Sequence, residues 1–289
     1  MNLTNIHGLP QALVDAVRND PYTGGGDISV TKLIDSPQRR VLLKQFKESI
    51  VEDVTERIWS LLGQAVHTIL ERANKSDIVE ERLYAEVNGW QLSGQFDRMD
   101  LHGAVLDDYK CTSTYKVMMS DMKDWERQLN VLRWLAHMNN YTVEKLRIIA
   151  ILRDWRKADA KHKIGYPQQP VVTIDIPVWP LDETYQYILS RINIHKDAEA
   201  GAVTACTDEE RWYTGTTYAL KKVGGKRAIK VVERKEELGS PIPDGTFIEE
   251  RLGFYRRCSD YCEVSNFCEQ YKPDREAGAP TLWESDNDS

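Results

Sequence analysis

The sequence predicts an α/β protein in which a central mixed sheet is flanked by helices. Three observations lead there: an amphipathic pattern over residues 51–73, an Asn88-Gly89 dipeptide set between two alternating stretches, and strand and helix patterns that continue to Ile176. In the first segment Val51, Val54, Ile58, Leu61, Leu62, Ala65, Ile69 and Leu70 recur at helical spacing and form one apolar stripe. Residues 80–100 read as a hairpin, because both positions of Asn88-Gly89 tolerate the positive φ of a two-residue turn. Such a turn sets Glu86 opposite Gln91, Tyr84 opposite Ser93, Arg82 opposite Gln95 and Glu80 opposite Asp97, all on one polar face. Leu83, Ala85 and Val87 with Trp90, Leu92 and Phe96 then make the face that meets a core. A third strand is expected over 104–111. A helix follows over 121–138 with Met122, Trp125, Leu129, Leu132 and Leu135 or Ala136 inward, then strands at Lys145–Leu152 and Val171–Ile176.

Composition narrows the function classes. The chain has 289 residues, 41% hydrophobic and 29% charged, which suits a folded globular protein. A net charge of −7 argues against a protein that coats DNA through a broad excess of Lys and Arg, so a polyanion would have to be held locally. Two basic stretches are candidates: 153–163, which carries Trp155, and 221–235. No run approaches the roughly 18 apolar residues that span a bilayer, and the first residues lack a basic segment followed by a long apolar stretch, so a cytoplasmic location without a membrane partner is expected. Gly24-Gly25-Gly26 reads as a loop, and neither it nor Val223-Gly224-Gly225-Lys226 has phosphate-loop spacing. The layout expected is an N-terminal lead-in segment (1–50), a core (51–200), a cysteine region packing on that core (201–272) and a flexible tail (273–289).

The chemistry concentrates on His67, Asp97, Asp108 and Lys110. Residues two apart in a strand share a face, so Asp108 and Lys110 project together while Asp107 and Cys111 point away. Phosphodiester cleavage uses that pairing: carboxylates hold Mg²⁺ or Mn²⁺ against the phosphate, the ion activates water, and a lysine orients the water or offsets charge. Asp97 offers a second carboxylate, and Glu80, across from it in the hairpin register, a third. Gly63, one turn before His67, would let the helix approach the sheet closely.

Gly63-Gln64-Ala65-Val66-His67, Gly94-Gln95-Phe96-Asp97-Arg98, Leu106-Asp107-Asp108-Tyr109-Lys110-Cys111-Thr112 and Gln128, in that order, resemble the RecB-like branch of the PD-(D/E)XK nucleases, and the stretch 29–37 resembles the start of such enzymes. The resemblance covers much of residues 27–152 and implies a restriction-endonuclease-like core. It implies that His67, Asp97 and Asp108 are metal ligands, that Lys110 is the catalytic lysine, that Gln128 contacts substrate or the lysine, and that Tyr109 adds its backbone carbonyl to the metal. An aromatic often stands four residues after that glutamine, where this chain has Leu132.

Five cysteines, an odd number, disfavour a disulfide framework and leave ligation as the better use. Cys258, Cys262 and Cys268 are close in sequence, Cys206 is a distant fourth candidate and Cys111 its competitor. Four thiolates hold either an iron–sulfur cube (4Fe-4S) or a zinc ion. The one-plus-three layout is similar to iron–sulfur nucleases of the RecB-like class, including CRISPR-associated exonucleases and AddB-type helicase–nuclease subunits. Those usually place the distant cysteine before the core, where this chain has Gln38, and separate the first close pair by two residues instead of three. The expected function is a Mg²⁺- or Mn²⁺-dependent DNA exonuclease or end-processing enzyme acting on single-stranded or duplex ends, with a helicase or recombination factor as a further partner. The alternative is a DNA-binding or partner-docking module with a nuclease fold and zinc-binding cysteines.

Overall fold

The computed structural model describes residues 2–19, 24–73, 76–119 and 122–278, and the chain divides into two compact units. The larger comprises residues 2–35 and 51–202, the smaller 36–50 and the chain from 203 onward. The expected lead-in segment is therefore shared between the units. Residues 36–50 belong with the cysteines because Ser36, Gln38 and Arg39 bond to Cys206, Cys268 and Glu263.

The strands of the larger unit are β1 (Asn2–Thr4), β2 (Ile28–Ser29), β3 (Val51–Asp53), β4 (Ile78–Val79), β5 (Arg82–Val87), β6 (Trp90–Gln95), β7 (Arg98–Asp100), β8 (Val105–Thr112), β9 (Lys145–Leu152) and β10 (Val171–Ile176). Its central sheet runs β10-β9-β8-β7-β4, with β8 and β9 parallel and the other pairs antiparallel, so the sheet is mixed as expected. A second sheet has the order β2-β6-β5, and β1 pairs with β3. Helix Lys123–Met138 packs against β5, β6, β8 and β9, and helix Ile58–Ala73 against β8. Phe96, Leu106, Leu132, Leu135, Ile148 and Ile188 are fully buried in one continuous core, in which Trp125 and Met122 are partly covered. Asp121 lies outside the described residues.

The hairpin keeps the predicted register: Glu86 pairs with Gln91, Tyr84 with Ser93 and Arg82 with Gln95, and Asn88 and Gly89 have φ of 48° and 72°. Its second strand is not continuous. Pairing with β5 stops at Gln95, and after Phe96 and Asp97 the chain resumes as β7 in the other sheet. Phe96 is buried at this break, so the chain turns from one sheet to the other around a core side chain, leaving Asp97 at the junction.

The amphipathic segment also differs from expectation. Residues 51–53 form β3, Val54–Arg57 is a 3-10 turn that Asp53 caps by accepting from Thr55 N at 3.1 Å, and the α-helix begins only at Ile58. Asp53 also accepts from Thr4 Oγ1 and Ile6 N, which binds β1 to this turn. No side chain of the helix Ile58–Ala73 is fully buried, and Leu62 and Ile69 are exposed, so the stripe is only partly used in the core.

In the smaller unit, helix Pro37–Gln45 starts from Ser36, whose Oγ accepts from Arg39 N. The strands β11 (Thr217–Lys222), β12 (Ala228–Val232) and β13 (Thr246–Arg251) form an antiparallel sheet of order β12-β11-β13. Lys272–Glu276, within the expected tail, is helical, and residues 279–289 of that tail lie outside the described residues. Among the described residues no helix is long and apolar enough to cross a membrane.

Gly94 is where a side chain is least tolerable, because a Cβ there would stand 2.5 Å from Leu132 Cδ2 and 2.8 Å from Leu135 Cδ1 and Val30 Cγ2. Gly94→Ala is expected to lower the unfolding free energy by about 1–3 kcal/mol, the scale of overpacking a filled core. Denaturant unfolding measures this, and an unchanged midpoint would show that helix Lys123–Met138 does not seat on β6.

Candidate functional site

The polar side of the larger unit opens on a cavity of about 750 Å³ bordered by His67, Glu80, Asp97, Asp108, Lys110 and Gln128, so the structure brings together every candidate of this set. The hairpin register delivers Glu80, whose N–H donates to Asp97 O at 3.2 Å. Gln95, to which the sequence pattern assigned no role of its own, donates to Glu80 Oε2 at 2.7 Å and accepts from Arg82 at 2.8 Å, which holds the carboxylate toward His67. The hairpin register had placed it on the polar face.

His67, Glu80 and Asp97 form a compact triplet whose ligand atoms all lie within 4.8 Å of one another. His67 Nδ1 stands 3.3 Å from Glu80 Oε1 and 3.4 Å from Asp97 Oδ1. Its Nε2 lies 3.1 Å from the Tyr109 carbonyl, an obligate acceptor, so Nε2 carries a proton and Nδ1 is the nitrogen free to ligate. Without an ion, hydrogen bonds to Asp97 and then Glu80 push the imidazole pKa up to about 10 against the effect of burial. The Tyr109 carbonyl, expected to add to the metal, also orients the histidine.

Asp108 stands beside this triplet and is engaged from the other side. Lys110 Nζ donates to its Oδ1 at 3.1 Å, Gln128 Nε2 donates to the same oxygen at 3.0 Å, and Gln128 Oε1 accepts from Lys110 at 3.2 Å. Lys110 Nζ is also 2.8 Å from Asp108 Oδ2, close enough for ion pairing, but Oδ2 is buried without a hydrogen bond. Burial raises the Asp108 carboxyl pKa and the Lys110 charge opposes that rise. A buried carboxylate balanced by a single lysine, next to a triplet with ligand spacing, fits a divalent ion: metal–oxygen lengths of about 2.1 Å put neighbouring ligands roughly 3–4 Å apart. Asp107 points away as expected and is buried against Arg98 and Arg147. Cys111, expected to face away and be buried, is half-buried and borders the cavity. Gly63 does not serve a close approach, because nothing lies within 4 Å of a Cβ built there and it lines open space.

In the smaller unit Cys206, Cys258, Cys262 and Cys268 are each half-buried and sense one another's charge. Burial pushes the Cys206 thiol pKa up to about 11, opposed by Ser36, whose Oγ is 2.9 Å from its sulfur. Gln38 and Gln270 accept from Cys206 N at 3.0 and 2.9 Å, and Gln38 Nε2 donates to Cys268 Sγ at 3.4 Å. Gln38 thus joins the Cys206 backbone to the Cys268 sulfur. Arg211 sits beside Cys258 and counters the burial that raises its thiol, while Arg211 Nε and Arg256 Nε are buried without a hydrogen bond. A buried guanidinium beside Cys258 fits a group that carries negative charge on its sulfur ligands. Among the described residues no three of these sulfurs lie within 4.8 Å of one another. The two basic stretches are partly neutralised: Lys221 pairs with Glu249, Arg234 with Glu237 and Lys163 with Asp159.

In the metal-free protein the His67 imidazolium is expected to persist at pH 8 and to lose its proton only as the pH rises toward 10, because a raised pKa favours the charged form up to that value. Nitrogen-15 NMR of the imidazole checks this, and a neutral ring at pH 8 would contradict the twin carboxylate contact.

No protein-family model and no curated protein matches this chain. Among solved structures it is similar to SSO0001, at 16% identity and a TM-score of 0.49, over 72% of this chain and 94% of that one. It is also similar to a phage-related exonuclease from Haemophilus somnus 129PT, at 14% identity and a TM-score of 0.31, over 66% of this chain and 79% of the other. A candidate exonuclease from Eubacterium rectale gives 14% identity and a TM-score of 0.34, over 74% and 80%. At these scores the functional reading rests on the side chains alone.

Proposed function

We propose that this protein is a divalent-metal-dependent deoxyribonuclease of the RecB-like PD-(D/E)XK type, with its four clustered cysteines holding an iron–sulfur group. The observation that carries the reading is the convergence of the His67–Glu80–Asp97 triplet and the Asp108–Lys110 pair on one cavity. His67 through Nδ1, Glu80, Asp97 and Asp108 would hold Mg²⁺ or Mn²⁺. Such an ion neutralises phosphate charge and lowers the pKa of a coordinated water.

The chain's own residues supply the rest. Lys110 places a cation next to the carboxylates, where it can hold a water by hydrogen bonding or offset charge as the phosphodiester opens. Gln128 bridges Lys110 and Asp108, accepting from the ammonium and donating to Oδ1, and so fixes the position of both groups. Because the chain has a net charge of −7, these local cations must secure a polyanionic strand at this point. An exonuclease or end-processing activity is what the resemblance of the motifs implies.

The layout of one distant and three close cysteines, without two close pairs, favours the iron–sulfur reading over zinc. Cys206, Cys258, Cys262 and Cys268 would be the cluster's ligands. The cluster would close the long loop between Cys206 and Cys258 and so restrict the unfolded chain.

Labelled single- and double-stranded DNA incubated with Mn²⁺ or Mg²⁺ tests the activity. Wild type is expected to cut, chelator to stop it, Asp108→Ala and Lys110→Ala each to lower the rate about 100-fold or more, and Gln128→Ala about 10- to 100-fold. Cutting by Asp108→Ala at the wild-type rate would refute the reading. Anaerobic purification should yield a brown protein with about four iron and four sulfide per chain, lost in Cys206→Ser. Stoichiometric zinc without sulfide would replace the cluster with a zinc site.

A further inference from the structure

Trp59 stands at the start of the helix Ile58–Ala73, and its indole is 57% exposed although it borders the same cavity as His67, Asp97 and Lys110. The Arg153 guanidinium lies 4.7 Å from its ring centroid. Arg153 is itself anchored, because its N–H donates to Thr112 O at 3.0 Å, at the end of the strand that carries Lys110. An aromatic ring and a guanidinium plane, held at the mouth of a polar cavity, are the two surfaces on which unpaired bases stack.

The helix supplies a path between this pair and the carboxylates. Trp59, Gly63 and His67 recur four residues apart and so lie along one side of the helix. Nothing lies within 4 Å of a Cβ at Gly63, so the space between Trp59 and His67 is open. Eight residues of helix span about 12 Å, roughly three base spacings of 3.4 Å. A base inside a duplex is already stacked on both faces, so away from duplex ends it is the unpaired base that offers a face to an indole.

We propose that Trp59 and Arg153 form a stacking subsite for a nucleobase of single-stranded DNA, a few nucleotides from the bond held at the carboxylates. The position of that bond rests on the nuclease reading, whereas the stacking is measured apart from cleavage. Fluorescence anisotropy of a labelled oligothymidylate and of a duplex of equal length, with Ca²⁺ replacing Mg²⁺ and the recovered DNA sized to show it intact, gives the affinities of the full chain. Trp59→Ala is expected to bind the single strand about 10- to 100-fold more weakly, Trp59→Phe to bind close to wild type, and duplex affinity to stay unchanged in both. Undiminished single-strand affinity in Trp59→Ala, or an equal loss on duplex, overturns the subsite. Hydrolysis in Mn²⁺ separates the two readings: cleavage without stacking removes the subsite alone, and stacking without cleavage removes the nuclease reading while the subsite stands.

Discussion

The candidate metal centre depends on the peptide of one residue, Tyr109. Strand β7 pairs with β8 only as far as Asp107, so beyond that point β8 has lost its neighbour on this side. The Tyr109 N–H donates to Asp97 Oδ2 at 2.6 Å, and its carbonyl receives His67 Nε2 at 3.1 Å. Two side chains therefore complete a ladder that a strand abandons. An unpaired backbone group beside a buried carboxylate is costly, and satisfying it with Asp97 and His67 turns that requirement into alignment. The remaining oxygen of Asp97 and the Nδ1 of His67 are left facing each other and Glu80.

The same economy governs Asp108 and Lys110. Without Gln128 the lysine and the carboxylate would form a simple ion pair, with the carboxylate side chain almost wholly buried. The amide accepts from the lysine and donates to Asp108 Oδ1, while the ammonium also stands 2.8 Å from Oδ2, so one lysine balances the whole carboxylate. Positive charge on His67 and Lys110 offsets part of the repulsion among Glu80, Asp97 and Asp108. The site is consequently held by mutual neutralisation, and polar groups such as Gln95 keep each partner at its distance.

The smaller unit applies a comparable device to sulfur. Cys206 is held through its backbone by Gln38 and Gln270, and its sulfur is approached by the hydroxyl of Ser36, which sits at the start of the helix Pro37–Gln45. Phe46 stacks on Phe267 at 4.4 Å, and Arg39 grips Glu263 at 2.7 Å, so the cysteine loops are tied to residues more than two hundred positions upstream. Hydrogen bonds to sulfur and buried guanidinium groups favour the thiolate form that ligation requires.

The local parts of this architecture were legible in the sequence. The turn at Asn88-Gly89 and the alternation beside it determine the hairpin register, since side chains in a strand alternate with period two, and that register already places Arg82, Gln95 and Glu80 on one face with Asp97. The Asp108 and Lys110 pairing and the strands Lys145–Leu152 and Val171–Ile176 follow from the same rule. Tertiary structure decided the rest. Periodicity could not tell that residues 51–57 are strand and turn, because Asp53 engages Thr4 and Ile6 from a distant segment. It could not reveal the break at Phe96 and Asp97, which exists because a core side chain pulls the chain from one sheet into another. Nor could it place Ser36 and Gln38 beside Cys206, Gln38 against Cys268, or Arg153 over Trp59, since contacts between segments far apart in the chain leave no local pattern.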